Sequence, residues 1–181
     1  MSQALVLIDL QNDYFPGGRM ELVGPDAAVR NAAGLLASFR ARALPVMHIQ
    51  HIATRAGATF FLPGTEGAEI HAAVRPNSGE RVIVKHFPSA FRETDLQAAL
   101  RELGITQLVL AGMMTHMCID ATTRAAADLG FDCQLAHDAC ATRDLAFGGS
   151  KVAAKDVHTA FLASLNGAFA KVLAAREIEP A

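Results

Sequence analysis

The sequence has little of several features that mark particular classes of protein. Its 181 residues include no tryptophan and only three cysteines, and the formal net charge is −2. A charge this small leaves no broad basic face, so we expect no nucleic-acid partner. No apolar run approaches the roughly 20 residues that span a bilayer, so we expect no membrane association either. We therefore expect the partner to be a small-molecule substrate.

The three cysteines also lack a recognisable pairing. Cys118, Cys133 and Cys140 do not have the Cys-x-x-Cys spacing of a zinc or redox site. The N-terminus has no basic region followed by an apolar stretch, as a signal peptide would have. Both observations predict a cytoplasmic protein. We expect Cys133 and Cys140 to be buried as small apolar residues.

What the sequence does contain is an alternation of apolar, strand-like runs with helical patterns. Strands are predicted at residues 4–9, 45–52, 81–85, 107–112, 132–136 and near 168–173. Helices are predicted from Pro25, from a capping box at Thr94–Gln97 to Gly104, at 117–130 and at 151–165. Continuous apolar strands separated by helices predict a three-layer α/β/α fold of Rossmann-like type, with a mostly parallel six-stranded sheet. We expect a single domain over residues 1–181.

One segment breaks this alternation. Residues 53–80, rich in glycine, proline and threonine, predict a long loop with at most a short helix near Glu66–Val74. A loop of this length in a compact domain is usually functional or disordered.

Three of the predicted strands lead into residues that carry chemistry. One apolar run ends at Asp9, another ends at Lys85, and Cys118 comes six residues after the glycine that closes a third. The carboxyl ends of parallel strands share one edge of the sheet, which is where ligands bind in such folds, so we expect the three to meet. The start of a helix favours a thiolate at Cys118, and a partly desolvated carboxylate at Asp9 is a candidate base.

The histidines do not form a convincing metal site. Only His48 and His51 are close in sequence, and a separation of three along a strand turns side chains to opposite faces. The sequence has no His-Glu-x-x-His motif for zinc and no Gly-x-Gly-x-x-Gly loop for a nucleotide. We expect no metal and no cofactor, and we expect one or two histidines to line the pocket.

Four segments together resemble a known family. They are Leu7–Phe15, Pro63–Ile70, Val84–Phe91 and Ala111–Cys118, and they occur in order over nearly the whole chain. In these segments the chain resembles the isochorismatase-like cysteine hydrolase superfamily. The resemblance implies the isochorismatase-like hydrolase fold and assembly as a homodimer or homotetramer.

The resemblance also implies roles for particular residues. It implies a catalytic triad of Asp9, Lys85 and Cys118, and a cis peptide between Met113 and Met114. The backbone N–H groups of Met114 and Cys118 would form the oxyanion hole. Substrate walls are expected from the segment 53–64 and from the side chains of Phe15, His86, Phe91 and His116.

Departures from other members of this superfamily narrow the expected reaction. Nicotinamidases usually carry an Asp-x-His metal motif after the second strand, but here that region, 48–51, has no carboxylate. Isochorismatases that cleave a vinyl ether typically lack the cysteine. Cys118 therefore favours hydrolysis of a C–N bond in a small amide, ureide or carbamoyl compound through a thioester. Two alternatives stay open: a vinyl ether hydrolase using Asp9 as acid, and a non-enzymatic redox-sensing or ligand-binding domain.

Overall fold

The computed structural model describes residues 2–181, and a parallel sheet of six strands forms its centre. Its six strands are β1 (Gln3–Ile8), β2 (Val46–His51), β3 (Arg81–Lys85), β4 (Gln107–Met113), β5 (Asp132–Ala141) and β8 (Lys171–Leu173). The two remaining strands, β6 (Leu145–Phe147) and β7 (Ser150–Val152), form a separate two-stranded sheet. The order across the large sheet is β3-β2-β1-β4-β5-β8, and every neighbouring pair is parallel. The predicted fold class is confirmed.

Helices cover both faces of this sheet. They are α1 (Pro25–Ala41), α2 (Leu96–Glu102), α3 (Asp120–Asp128) and α4 (Ala154–Leu165). Leu5 and Leu7 of β1 pack in one apolar core with the stripe of α1, while Val6 and Ile8 pack in a second core with residues of α2, α3 and α4. Each fully buried leucine or valine contributes about 2 kcal/mol, so these two cores fix β1 from both sides. Among residues 2–181, no helix combines the length and apolarity that crossing a membrane requires.

The order of the strands creates a crevice at one edge of the sheet. The chain runs from β1 outward to β2 and β3, and then returns to β4 on the other side of β1. Such a reversal leaves an open space beyond the carboxyl ends of the two central strands. Gly112, opposite Ile8, allows β4 to approach β1 there, because a Cβ at its φ of 137° would lie 2.0 Å from the Ile8 carbonyl oxygen.

The long loop 53–80 is largely irregular, as predicted, and it packs onto the segment that follows β1. It contains only short 3-10 turns at Glu66–Ala68 and Ala72–Val74. The Asn12 N–H donates to the Glu69 carbonyl, and the His71 N–H donates to the Leu10 carbonyl. These bonds fix the loop beside the crevice.

Three local predictions are wrong. The helix expected at 151–165 begins at Ala154, because β6 and β7 form a hairpin around Gly148 and Gly149. The helix expected at 117–130 ends at Asp128 and is preceded by one π-helical turn, 115–119. The capping box does not form, because the N-cap of α2 is Asp95, which makes no side-chain cap. The Thr94 hydroxyl accepts the Leu96 N–H at 3.4 Å, not that of Gln97, and donates to the Ala90 carbonyl.

Candidate active site

Asp9 lies immediately after β1, at the centre of the crevice. Its side chain is fully buried, and its backbone has the left-handed φ of 51°. Such a conformation costs a non-glycine residue about 1 kcal/mol, and the Asp9 N–H is held by the Ile49 carbonyl at 3.1 Å. Within residues 2–181, Oδ1 of this carboxylate accepts no hydrogen bond. A buried carboxylate oxygen without a donor is free to take a proton.

Lys85 ends β3 and connects the groups of the site. Its buried Nζ lies 2.8 Å from Asp9 Oδ2, 3.2 Å from Cys118 Sγ, and 3.0 Å from both His51 Nδ1 and the Phe87 carbonyl oxygen. An ammonium has three hydrogens, so it cannot donate to all four neighbours at once. Burial alone lowers the pKa of Lys85, but Asp9 and Cys118 outweigh it and raise that pKa. Lys85 is therefore charged and can redirect a hydrogen bond between its neighbours.

Cys118 lies in the π-helical turn that leads into α3. Burial, followed by the charge of Asp9, raises the pKa of its thiol, while Lys85 acts in the opposite direction. The thiolate expected from the start of a helix is therefore not the resting state: burial outweighs the influence of the ammonium, and the resting sulfur is protonated. Sγ and a carboxylate oxygen of Asp9 lie within 4.8 Å of each other. Deprotonation therefore needs a neighbouring base, and Asp9 is placed to be that base.

His51 belongs to the same cluster, although the sequence indicated it only as part of an unconvincing metal site. It ends β2 and is paired in register with Lys85 on β3. Burial, and next the charge of Lys85, lower the pKa of His51 to about 4. The ring is neutral at neutral pH, and its Nδ1 accepts from the Lys85 ammonium. The adjacent ends of the two strands could have indicated this contact, given the register.

Asp9, His51 and Cys118 have the side chains from which a metal site could be built. Their potential ligand atoms all lie within 4.8 Å of one another. Lys85 Nζ lies within 3.2 Å of an atom of each, so the positive charge among these three groups is an ammonium. The absence of a metal remains a prediction.

The turn before Cys118 has the backbone feature that the resemblance implies. The peptide bond between Met113 and Met114 is cis. The Met114 carbonyl accepts from the N–H groups of Met117 and Ile119, whereas the Met114 N–H has no acceptor among the residues described. That N–H is available to a substrate oxygen. The oxyanion hole of Met114 and Cys118 stays a prediction.

Two of the residues predicted to form substrate walls, Phe15 and His86, contact the long loop and the residue after β2. The Phe15 ring stacks on His71, with ring centroids 4.0 Å apart. His86 Nδ1 hydrogen-bonds to the Ile52 carbonyl at 2.8 Å, and the imidazole is exposed. Neither ring hydrogen-bonds to the triad, so their roles as substrate walls stay predictions.

The other two wall residues lie nearer to α2 and α4. Phe91 stacks with Phe131, at 6.0 Å between centroids, and packs against the core beneath α2 and α3. His116 Nδ1 is hydrogen-bonded to the Thr142 hydroxyl at 2.6 Å, and its ring meets Phe161 edge-on. His116 thus joins the turn before Cys118 to the end of β5. Contact of either residue with substrate also stays a prediction.

Two residues that the sequence did not predict as site residues, Gln11 and Asp13, hold the backbone around the site by hydrogen bonds. Gln11 is fully buried; its Nε2 donates to the carbonyls of His51 and Ala68, and its Oε1 accepts the His51 N–H. Asp13 Oδ2 accepts the Phe61 N–H at 2.6 Å. Both lie in the polar run Gln11-Asn12-Asp13 that follows β1, within the segment Leu7–Phe15, and that run was the available signal.

The segment 53–64 approaches the cluster through Phe61. The Ala53 N–H donates to the Phe61 carbonyl, which closes the segment into a loop. The Phe61 ring lies 4.6 Å from the Tyr14 ring and 5.9 Å from the His51 ring, measured between centroids. This contact places the segment beside His51, and its role as a substrate wall stays a prediction.

The family model described as the Isochorismatase domain matches residues 3–177 of the chain. The isochorismatase family protein YddQ of Bacillus subtilis (strain 168) is 53% identical over 172 residues, covering 95% of this chain and 96% of that protein. A maleamate amidohydrolase of Pseudomonas putida is 36% identical, covering 71% of this chain and 67% of its own. A solved structure assigned to the isochorismatase hydrolases, from Oleispira antarctica, has a TM-score of 0.94 and 52% identity, covering 97% and 95% of the two chains.

Proposed function

The chain belongs to the isochorismatase family, and on that basis we propose that it is a cysteine hydrolase that cleaves a C–N bond of a small amide, ureide or carbamoyl compound. One observation carries the proposal: the buried Lys85 ammonium lies within 3.2 Å of both Asp9 Oδ2 and Cys118 Sγ. A base, a cation and a nucleophile within hydrogen-bond reach are what covalent hydrolysis needs. The maleamate amidohydrolase among the relatives carries a name of the same reaction class.

The first half of the reaction forms a thioester. Asp9 takes the proton of the Cys118 thiol, and Lys85 moves a hydrogen bond onto the resulting thiolate. The sulfur attacks the substrate carbonyl carbon, and the negative oxygen lies against the N–H groups of Met114 and Cys118. Each such donor typically lowers the barrier by about 3 kcal/mol. Protonated Asp9 then gives its proton to the leaving nitrogen as the C–N bond breaks.

The second half releases the acyl group. Asp9, again a carboxylate, takes a proton from water, and the hydroxide adds to the thioester carbon. The same backbone donors hold the oxyanion. The C–S bond breaks, Cys118 leaves as a thiolate, and Asp9 returns the proton to it. The site thus performs both acid and base steps with one carboxylate.

Ammonia release from a panel of small amides, ureides and carbamoyl compounds tests this proposal. The C118A variant should lose more than about 10³-fold in kcat with any compound that the enzyme hydrolyses, because the nucleophile is removed. C133A is the matched control, since Cys133 is also a buried thiol but lies on β5. Full turnover by C118A would contradict the proposal, and activity on isochorismate alone would favour vinyl ether hydrolysis.

A further inference from the structure

The π-helical turn that carries Cys118 is held by two hydrogen bonds between a hydroxyl and an imidazole. Thr115 Oγ1 lies 2.9 Å from Nδ1 of His158, which belongs to α4. His116 Nδ1 lies 2.6 Å from Oγ1 of Thr142, the residue after β5. Both threonine side chains are buried. The turn is therefore tied to two neighbouring elements, and the bond from α4 has no part in the proton transfers proposed above.

The Thr115 hydroxyl has two neighbours that can accept its hydrogen. It lies 3.3 Å from the Ala141 carbonyl oxygen and, at 2.9 Å, nearer to His158 Nδ1. Burial, followed by the charge of His137, lowers the pKa of His158, so the ring is neutral at neutral pH. With its hydrogen on Nε2, the ring accepts from Thr115; with its hydrogen on Nδ1, it donates to Thr115, and the hydroxyl then donates to Ala141. His158 thus bonds to Thr115 in either tautomer.

Thr115 stands between the two backbone groups expected to bind the substrate oxygen. It follows Met114, whose N–H has no acceptor among residues 2–181, and it precedes Cys118 by three residues. The Met114 carbonyl accepts the N–H groups of Met117 and Ile119, which closes the turn on itself. These bonds set the shape of the turn but do not fix it against its surroundings. The side chain of Thr115 does so.

Helix α4 is a firm support for this bond. Its Val157 and Leu165 are buried, and the N–H of Ala154 in its first turn donates to Asp144 Oδ1 at 2.8 Å. His158 follows Val157 directly, so the burial of that side chain limits how far the imidazole can move. A hydrogen bond from such a support restricts the partner that receives it.

We propose that His158 is a positioning residue of the hydrolysis: its bond to the Thr115 hydroxyl fixes the turn and thereby aims the Met114 N–H and Cys118 Sγ at one substrate carbonyl. Displacement of reacting groups by about 1 Å can slow a reaction about 10²-fold. Loss of the bond therefore lowers kcat and leaves substrate binding almost unchanged. The inference rests on the proposed hydrolysis and adds to it a residue from α4, which carries none of the reacting groups.

Steady-state ammonia release by two variants of His158 tests the bond. H158L keeps an apolar side chain there without a hydrogen-bonding atom, and it should lower kcat about 10- to 100-fold while KM changes less than about threefold. H158N places an amide group near the position of Nδ1, so its kcat should lie within about fivefold of the unaltered enzyme. A raised KM with unchanged kcat in H158L, or an H158N enzyme as slow as H158L, would overturn the inference.

Thr159 offers a matched control on the same helix. Its exposed hydroxyl donates to the Lys155 carbonyl within α4 and does not reach the turn. T159V should therefore leave both kcat and KM unchanged. A loss in T159V equal to that in H158L would assign the effect to α4 as a whole and contradict the role of His158.

The other partner of the bond keeps the inference testable if H158L does not fold. T115V removes the hydroxyl at nearly constant volume and should reproduce the loss in kcat, whereas T115S keeps the hydroxyl and should stay within about threefold of the unaltered enzyme. The double variant T115V/H158L should be no slower than T115V, because both changes remove one bond. Losses that multiply would show that the two residues act independently, against the proposal.

Amide hydrogen exchange, followed by NMR, separates this inference from the hydrolysis. The N–H groups of Met117 and Ile119 close the turn, and they should exchange about tenfold faster in H158L than in the unaltered enzyme. Their rates should be unchanged in H158N and T159V, and the amides of α1 should be unchanged in all three. If this pattern holds while no compound is hydrolysed, the reaction is wrong and the anchoring of the turn stands. Equal exchange in H158L and the unaltered enzyme overturns the inference, whatever the substrate.

Discussion

Strand β3 carries a cluster of charges at each end, and the two clusters use their carboxylates differently. At its start, Glu80 accepts from Arg40 Nε and Nη2, from the Asn77 N–H and from His48 Nε2. At its end, Asp9 faces Lys85 through one oxygen, and its other oxygen has no donor among residues 2–181. The Glu80 carboxylate, whose oxygens accept several hydrogen bonds, holds α1 to the sheet. The Asp9 carboxylate, which has an oxygen without a donor, is available for proton transfer. Hydrogen-bond capacity left unused thus distinguishes the reactive cluster from the structural one.

Among the substitutions that test this contrast, removal of the Asp9 charge should lower kcat the most. D9N cannot take the Cys118 proton, so kcat for a hydrolysed amide should fall about 10²- to 10⁴-fold. The equivalent change at the other end of β3, E80Q, should leave kcat within about twofold, because Glu80 does not reach the reacting groups. Steady-state ammonia release by both variants checks this. Equal losses in D9N and E80Q would remove the distinction between the two clusters.

Substitution of His51 should lower kcat less than substitution of Asp9 does. H51L removes one of four acceptors around Lys85 Nζ, so kcat should fall only about tenfold while Asp9 and Cys118 keep their contacts. Because the pKa of His51 is lowered to about 4, the ring stays neutral above pH 5 and does not titrate in the working range. The pH profile of kcat/KM between pH 5 and 8 should keep its shape in H51L. An inflection that disappears in this variant would show that His51 exchanges a proton in the reaction.

The smallest effect on activity, and a measurable one on stability, is expected at Glu80. Hydrogen bonding to Arg40 lowers the pKa of Glu80 from 4.5 to about 2, although burial opposes this. A lowered pKa stabilises the fold above the unfolded value, and that contribution is lost as pH falls from about 4.5 to about 2. E80Q should lower the free energy of unfolding by about 1–2 kcal/mol at pH 7, and by less at pH 3. Urea unfolding at the two pH values measures this, and an equal loss at both would contradict it.

The sequence predicted the sheet and three site residues because both depend on local pattern. Asp9 and Lys85 stand out as ionisable residues that close apolar strands, and Cys118 stands out at the start of a helical pattern. The cis peptide at Met113 came from family resemblance, since nothing in two methionines requires it. Burial of the thiol, which keeps it protonated, depends on the whole fold and could not be derived from the helix start alone.

Other features needed spatial information that the sequence pattern does not contain. His51 joins the site only because its strand is in register with Lys85. The hairpin around Gly148 was missed although a Gly-Gly pair between short strands is a known turn signal. Contacts between distant residues, rather than local propensity, account for these differences.

The central claim is that Cys118 becomes covalently acylated, and peptide mass spectrometry after rapid acid quench measures this directly. A hydrolysed amide is mixed with excess enzyme, and samples are quenched from the first milliseconds to completion. The account predicts an acyl group on the Cys118 peptide that rises and decays as product forms, with the peptides of Cys133 and Cys140 unmodified. Product formed while Cys118 stays unmodified at every time, or an acyl group on another residue, would contradict it.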